Sequence, residues 1–218
     1  MSDAPAPLEH AAAAPFDAAA FQAATGASPA AMADLETFRA RLAEWNGRMN
    51  LVGPSALEDF WLRHAFDSAQ LLSLAPGARR WVDIGSGAGF PGIVLAILLK
   101  GQPGAVVHLV ESVIKRCRFL EAMVGELRLP AKIHNARAEA LGLDCDVVVA
   151  RACAPLVKLF GYARPYLKRG AVGLFMKGQD VASELEAATI SWRFKADLIE
   201  SRSHTGGRIV RVQRLQHV

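Results

Sequence analysis

The 218-residue sequence predicts an α/β fold: a mainly parallel, seven-stranded sheet with a C-terminal antiparallel hairpin, preceded by an N-terminal helical cap. Three observations predict it. From Trp81 onward, short β-rich segments alternate with longer helical patterns, as crossover connections between parallel strands require. The strand segments are apolar throughout instead of at every second position, as expected when both sheet faces are covered. The last two strand candidates have no helix between them, which leaves a hairpin as their connection.

Each element follows from its own residues. Residues 1–33 hold fifteen alanines and Pro5, Pro7, Pro15 and Pro29 but few large apolar side chains, so 1–28 reads as a loose leader. Ser28 and Pro29 suit a helix cap and first helical position, and Leu35, Phe38, Leu42, Trp45 and Met49 then recur at steps of three and four. Gly53 and Pro54 break that helix. Leu62, Phe66, Ala69 and Leu72 carry a further one, ending before Pro76 and Gly77. Residues 29–78 are therefore expected as the cap and 79–218 as the main domain. Strands are expected at 81–84, 105–110, 131–134, 146–150 and 171–176, then at 195–199 and 208–214, the last two joined through Gly206 and Gly207 at the sheet edge.

Composition narrows the classes. With 52% hydrophobic and 21% charged residues the chain is neither wholly disordered nor a fibre nor a disulfide miniprotein. Its longest apolar run, residues 90–99, contains Pro91 and Gly92 and is far short of the ~20 residues a membrane span needs. The first basic residue is Arg39, preceded by Asp3 and Glu9, so a secretory signal is not expected and a cytoplasmic location is. Cys117, Cys145 and Cys153 form no C-x-x-C, which predicts free thiols and no metal centre. Charge is unevenly spread: residues 1–60 hold three Arg against eight acids (−5), and 61–218 hold 22 basic against 13 acidic residues (+9). That surplus is compatible with a polyanionic partner, although many ordinary enzymes share a pI near 9.2.

The strongest local signal is the run Val82-Asp83-Ile84-Gly85-Ser86-Gly87-Ala88-Gly89-Phe90-Pro91-Gly92, a strand passing through glycines into a helix. Such a loop lets a ligand approach the main chain, and the first strand of a doubly wound sheet ends at the switch point where ligands bind. A dinucleotide G-x-G-x-x-G frame starting at Gly85 fails, because Phe90 stands at its last position. The spacing is G-x-G-x-G, preceded by Asp83 and followed, 22 residues after Gly89, by Glu111 at the end of the next strand. A carboxylate there can take both ribose hydroxyls. Acids beside the loop favour a ligand carrying an ammonium and a sulfonium over a pyrophosphate. S-Adenosylmethionine fits best, held by Asp83, Gly87 and Glu111. The plainer alternatives are a tight turn without ligand, and for Glu111 a cap on the next helix.

Seven ordered landmarks resemble one family, the bacterial small-subunit ribosomal RNA methyltransferase G, also called glucose-inhibited division protein B. They are Trp45-Asn46 with Asn50-Leu51, Arg63-His64 with Asp67-Ser68, the glycine run from Asp83 to Gly92, Glu111-Ser112, Arg137-Ala138-Glu139, Arg151-Ala152 and Lys177-Gly178, within about residues 35–215. The resemblance implies a Rossmann-like class I S-adenosylmethionine-dependent methyltransferase. It also implies methylation of guanine N7 in a conserved loop of 16S rRNA, at guanine 527 in standard rRNA numbering. The implied partner is 16S rRNA or the small ribosomal subunit, and a monomer is expected. Carried over by position, it places cofactor contacts at Gly85, Phe90, Ala138, Glu139 and Arg151. Arg63 and His64 become RNA-binding candidates through it alone. Ala150 stands where a Ser is common and Cys153 where an aromatic is common, departures expected to retune the mouth of the site.

Guanine N7 bears a lone pair and no hydrogen, so no catalytic base is assigned. Placement alone can supply on the order of 7–11 kcal/mol. No Asn-Pro-Pro-Tyr-like segment is present, which disfavours adenine N6 as the acceptor. Arg151 is the candidate for orienting the base; its alternatives are capping a helix or pairing with Glu139. Lys177 and Arg208 are RNA candidates, with a charged sheet edge as the alternative. In the last strand Arg208 and Arg214 are expected to share a face. Cys153 is the candidate of a competing covalent mechanism, but an inert thiol is expected, so that Cys153→Ser keeps most activity. Two other classes stay open: a nicotinamide-dependent oxidoreductase on a similar fold, and a non-catalytic RNA-binding or ribosome-assembly protein with a cofactor pocket.

Overall fold

The computed structural model describes residues 16–53 and 57–218. Pro54 and the Ala/Pro tract before Phe16 lie outside the described residues. Helix α1 (Ala18–Thr25) is capped by Asp17, whose carboxylate accepts from the Ala20 N–H, and ends on Gly26 at φ 67. The loose leader expected through residue 28 is corrected here. Phe16 packs on Phe66, and fully buried Phe21 packs on Trp61, so two aromatic anchors order residues 16–28 despite the alanines around them. Helix α2 (Pro29–Met49) starts as its sequence predicts, with the Ser28 hydroxyl accepting from the Ala31 N–H, and stops at left-handed Asn50.

A wide π-helical stretch, Phe60–Phe66, runs into α3 (Asp67–Leu74). The apolar spacing predicts an ordinary helix here. The π turn instead leaves Phe60, Trp61, Ala65 and Phe66 all buried, a broader apolar face than the 3.6 period predicts.

The sheet and its crossovers follow: β1 (Arg80–Ile84), α4 (Gly92–Leu98), β2 (Val106–Glu111), α5 (Ile114–Leu127), β3 (Ala131–Asn135), a 3-10 turn at Ala138–Ala140, β4 (Val147–Arg151), α6 (Leu156–Leu167), β5 (Val172–Lys177), α7 (Val181–Thr189), β6 (Trp192–Glu200) and β7 (Arg208–His217). Strand order is β3-β2-β1-β4-β5-β7-β6, parallel through β5 and antiparallel for the β5–β7 and β7–β6 pairs. The order reverses beside β1, between β2 and β4, which opens a crevice at the carboxyl ends of both.

Alternate residues of each strand face two apolar cores. Val107, Leu109, Val147 and Val149 join Phe38, Phe60, Phe119 and the α4 side chains on one face; Val82, Val110, Val148 and Phe175 join Leu159, Phe160 and Tyr166 of α6 on the other. The cap therefore shares the first core and docks on the sheet as a continuous layer. Ion pairs Lys100–Asp34 (2.7 Å) and Arg41–Glu126 (3.0 Å) lie across that junction. In β7 alternation is interrupted. Arg214 takes φ 55, the register with β6 slips between Arg193 and Lys195, and Leu215 enters the core that Val210 and Val212 face. Arg208 and Arg214 consequently do not share a face, contrary to strict alternation.

Candidate active site

Where β1 ends, Gly85, Gly87 and Gly89 adopt φ values of 71, 52 and 93, a left-handed conformation that residues with a Cβ resist. The loop folds back onto β2: the N–H groups of Gly85 and Ser86 donate to Val110 O at 2.8 and 3.1 Å. The Gly87 N–H donates to Glu111 Oε2 at 3.0 Å, and the Val113 N–H to Glu111 Oε1 at 2.8 Å. Glu111 is thus buried and braced by the loop on one side and by the turn into α5 on the other. Arg116 Nη1 lies 3.8 Å from Oε2, and each carboxylate oxygen retains the capacity to accept a further hydrogen bond.

Asp83 lies under the same loop, fully buried. Its Oδ2 accepts from the Gly92 N–H at 3.0 Å, and its Oδ1 has no partner among the described residues. Burial, well ahead of the neighbouring Glu111 charge, pushes this carboxyl up to about 7. The orphaned acidic oxygen adds negative potential beneath the loop, which suits a ligand that brings a cation there more than one that brings a pyrophosphate.

Beside the loop a hollow of about 60 Å³ is lined by Gly85, Ser112, Ala138, Glu139 and Cys153. Glu139 is exposed, while Ala138 is buried and its carbonyl accepts from the Tyr166 hydroxyl at 2.8 Å. A Cβ on Gly85 would stand 2.8 Å from Cys153 Sγ, so the two residues close one wall together. Cys153 is at the exposed rim, its thiol pushed upward by desolvation and by the carboxylates of Asp83 and Glu111, a setting that keeps it protonated and inert.

Around the end of β4 opens a second cleft, about 370 Å³, whose lining includes Arg63, Asp67, Arg151, Lys177, Ser203 and Arg208. A larger groove of about 730 Å³ lies elsewhere, between the α1–α2 turn and α4, and holds none of the candidate residues.

The candidates sort by what they touch. Phe90 turns its ring into the cap, 5.3 Å from Phe38 and stacked on His64 at 4.6 Å, so only its main chain is left to the loop. Arg151 neither caps a helix nor pairs with Glu139. Its Nη1 lies 2.8 Å from His64 Nδ1, its Nε 3.8 Å from Asp67 Oδ2, and its guanidinium 5.9 Å from the Phe90 ring centre. The charged edge groups are also engaged. Lys177, 9% exposed at its side chain, donates to Ala154 O (2.9 Å) and reaches Glu184 (2.7 Å), pinning the turn after β4 and not facing solvent. Arg208 donates to Thr205 O and Gly207 O, both at 2.8 Å, within its own hairpin. The side chain of half-buried Arg63 has no hydrogen bond or ion pair among the described residues.

Sequence reasoning passes over Gln70, Ser201 and Ser203, and uses Asp67 only as a landmark. Asp67 Oδ1 accepts from Gln70 Nε2 (2.8 Å), Ser201 Oγ (3.0 Å) and Ser203 Oγ (2.5 Å), tying the β6–β7 loop to the cap. Ser203 and Gln70 are buried polar residues, 7% and 6% exposed, a property that no local pattern of the sequence marks.

The strand order, the glycine loop after β1 and the acid closing β2 define a class I methyltransferase architecture. Solved structures agree on the fold: MtNAS in complex with S-adenosylmethionine (TM-score 0.57, 16% identity, 91% of this chain and 84% of that one) and a SAM-dependent methyltransferase from Aquifex aeolicus (0.52, 16%, 81% and 98%). Residues 31–208 match the family described as GidB, rRNA small subunit methyltransferase G. A ribosomal RNA small subunit methyltransferase G from Caulobacter vibrioides is 60% identical over 203 residues, 93% of this chain and 94% of the relative. One from Methylorubrum populi is 47% identical over 187 residues, 84% and 89%. The chain belongs to the rRNA small subunit methyltransferase G family.

Proposed function

We propose that this protein transfers a methyl group from S-adenosylmethionine to N7 of a guanine in 16S rRNA, presented by the free RNA or by the small ribosomal subunit. The observation that carries the reading is that two hollows flank the end of β4: one beside the acid-backed glycine loop, lined by Gly85 and Cys153, and a cation-lined cleft that takes in Arg151 and Ala152. Bound S-adenosylmethionine supplies a methyl group on a positively charged sulfur. The chain's own groups suited to hold it are the main chain of Gly85 and Gly87, the carboxylates of Asp83 and Glu111, and Ala138 with Glu139.

The cleft side agrees with an acceptor that has no proton to lose. His64 is spent on Arg151 and Phe90, and burial with the adjacent arginine charges pushes its pKa down to about 3, while His204, which lines the cleft, accepts at Nδ1 from the Gly206 N–H at 3.0 Å. What remains is positioning. A stacked Phe90–His64 pair and a clamped Arg151 form a stiff wall, so a base laid against it loses freedom before the reaction, not during it. Splaying one nucleotide into such a cleft is the usual way a protein reaches a base in folded RNA.

The test is calorimetric titration with S-adenosylmethionine and with NAD, followed by mapping of N7-methylguanine on 16S rRNA and on small subunits incubated with the protein. Uptake of S-adenosylmethionine and one new methylguanine are expected. Uptake of NAD alone turns the reading toward an oxidoreductase; cofactor uptake without transfer turns it toward an assembly factor.

A further inference from the structure

Asp67 is the one carboxylate lining the cation-rich cleft among its described residues, and its two oxygens differ. Oδ1 is saturated by Gln70, Ser201 and Ser203, which fixes the carboxylate plane. Oδ2 has only Arg151 Nε, 3.8 Å away and beyond hydrogen-bond length. The three hydrogen bonds at Oδ1 would be served equally by an asparagine; the negative charge offsets the part-buried guanidinium of Arg151 and leaves Oδ2 a charged acceptor with no hydrogen-bond donor among the described residues. In a cleft meant for a polyanion such an acceptor attracts no phosphate and serves the ligand only where the ligand presents a hydrogen-bond donor.

We propose that Asp67 selects guanine, accepting at Oδ2 from the exocyclic N2 amino group of the target base. The proposal rests on the guanine reading above. Among the purines of RNA only guanine carries that amino group; adenine presents a lone pair or a C–H on the same edge and meets the carboxylate unfavourably. The N2 group lies at the end of the purine opposite N7, so anchoring it leaves N7 directed away from Asp67. The layout of the site agrees. Arg151 shares the cleft with Asp67 and is two residues from Cys153, whose sulfur lies beside Gly85, so the chain leads from the Asp67 side of the cleft toward the glycine loop. A carboxylate pinned by three donors is pre-organised, and a charged hydrogen bond made in such a place discriminates strongly against a base lacking the donor.

The experiment compares methyl transfer to two RNAs, one carrying guanosine and one carrying inosine at the target position. Inosine keeps N7, O6 and N1–H and lacks only the amino group. The unmodified protein is expected to lose at least about tenfold in kcat/KM on inosine. Asp67→Asn, whose amide oxygen still serves Ser201 and Ser203, is expected to bring the ratio to within about twofold of one while binding S-adenosylmethionine as before. Equal use of the two RNAs by the unmodified protein overturns the proposal, and this measurement stands even where Asp67→Asn does not fold. A variant slowed equally on both RNAs, with the ratio kept, also overturns it and makes Asp67 only the partner of Arg151. Absence of transfer to the guanosine RNA by the unmodified protein removes the underlying reading and the proposal with it.

Discussion

His64 accepts a hydrogen bond from Arg151: Nδ1 and Nη1 are 2.8 Å apart, and because a guanidinium only donates, the imidazole must be unprotonated at that nitrogen. Desolvation first, then Arg151 and Arg63, hold its pKa down at about 3. An unfolded chain takes up this proton near the ordinary value of about 6.5. Below that pH the unfolded state therefore binds more protons than the folded one, and stability falls as pH drops from about 6.5 toward 3. In His64→Gln, which keeps an acceptor and does not titrate, the drop in Tm between pH 7 and pH 5 should be smaller than in the unmodified protein. Paired thermal melts check this; equal drops would show that the Arg151–His64 hydrogen bond does not persist in solution.

Gly92 opens α4 against the sheet, and a Cβ there would meet Leu109 Cδ2 and the Asp83 carboxylate. Neither is the free end of a mobile chain. Gly92→Ala should cost roughly 1–3 kcal/mol, the range for overpacking a close-packed core. Gly47, on the exposed side of α2 with nothing within 4 Å of its Cβ position, should respond oppositely. Gly47→Ala is expected to stabilise by about 0.5–1 kcal/mol through helix propensity. Urea midpoints of the two variants give the comparison, and a shift of both in the same direction contradicts the packing described.

These glycines also show what a sequence can and cannot convey. The run from Asp83 to Gly92 announces itself because backbone constraint leaves a composition mark, and the strands do so because both-face burial removes polar residues. Glu111 is reachable by counting forward to the next strand end. The clamp on Arg151 is not, since His64, Asp67 and Ser203 lie 87, 84 and 52 positions from it and no periodicity connects residues that meet only through the sheet. Lys177 misleads for the same reason: its partners Ala154 and Glu184 lie on other elements, so a buried lysine reads as a free one. In the leader, Phe16 and Phe21 are hidden among alanines whose number argues against any anchor.

Asp83 offers a pH dependence of opposite sign. Its folded pKa of about 7 exceeds the unfolded value of 3.8, chiefly through burial. Between those values the folded state holds more protons, so stability contributed by this group falls as pH rises from about 4 to about 7. Asp83→Asn cannot ionise and keeps an acceptor for the Gly92 N–H. It should therefore be the more stable protein at pH 8, with the difference shrinking at pH 5, while its affinity for S-adenosylmethionine drops about tenfold or more. Denaturant midpoints at the two pH values, with calorimetry for the cofactor, decide it. A variant less stable at pH 8 would mean that the ionised carboxylate is satisfied in the folded protein after all.

Lys177 and Arg63 separate structural from RNA-facing charge. Lys177 is held by a carbonyl and a carboxylate in a nearly buried position, so Lys177→Met should destabilise by roughly 2–4 kcal/mol, because Glu184 and the Ala154 carbonyl lose their donor. It should leave the salt dependence of RNA affinity unchanged. Arg63 lines the cleft without an internal partner among the described residues, so Arg63→Gln should cost little stability. It should lower the slope of log affinity against log salt by about one, as expected when a single phosphate is no longer neutralised. Arg208, already donating to two carbonyls of its own loop, should give a smaller slope change than Arg63 when replaced by Gln. Binding titrations over a series of salt concentrations resolve all three. A flattened slope for Lys177→Met, or an unaltered one for Arg63→Gln, would reverse the assignment of which cation meets the RNA.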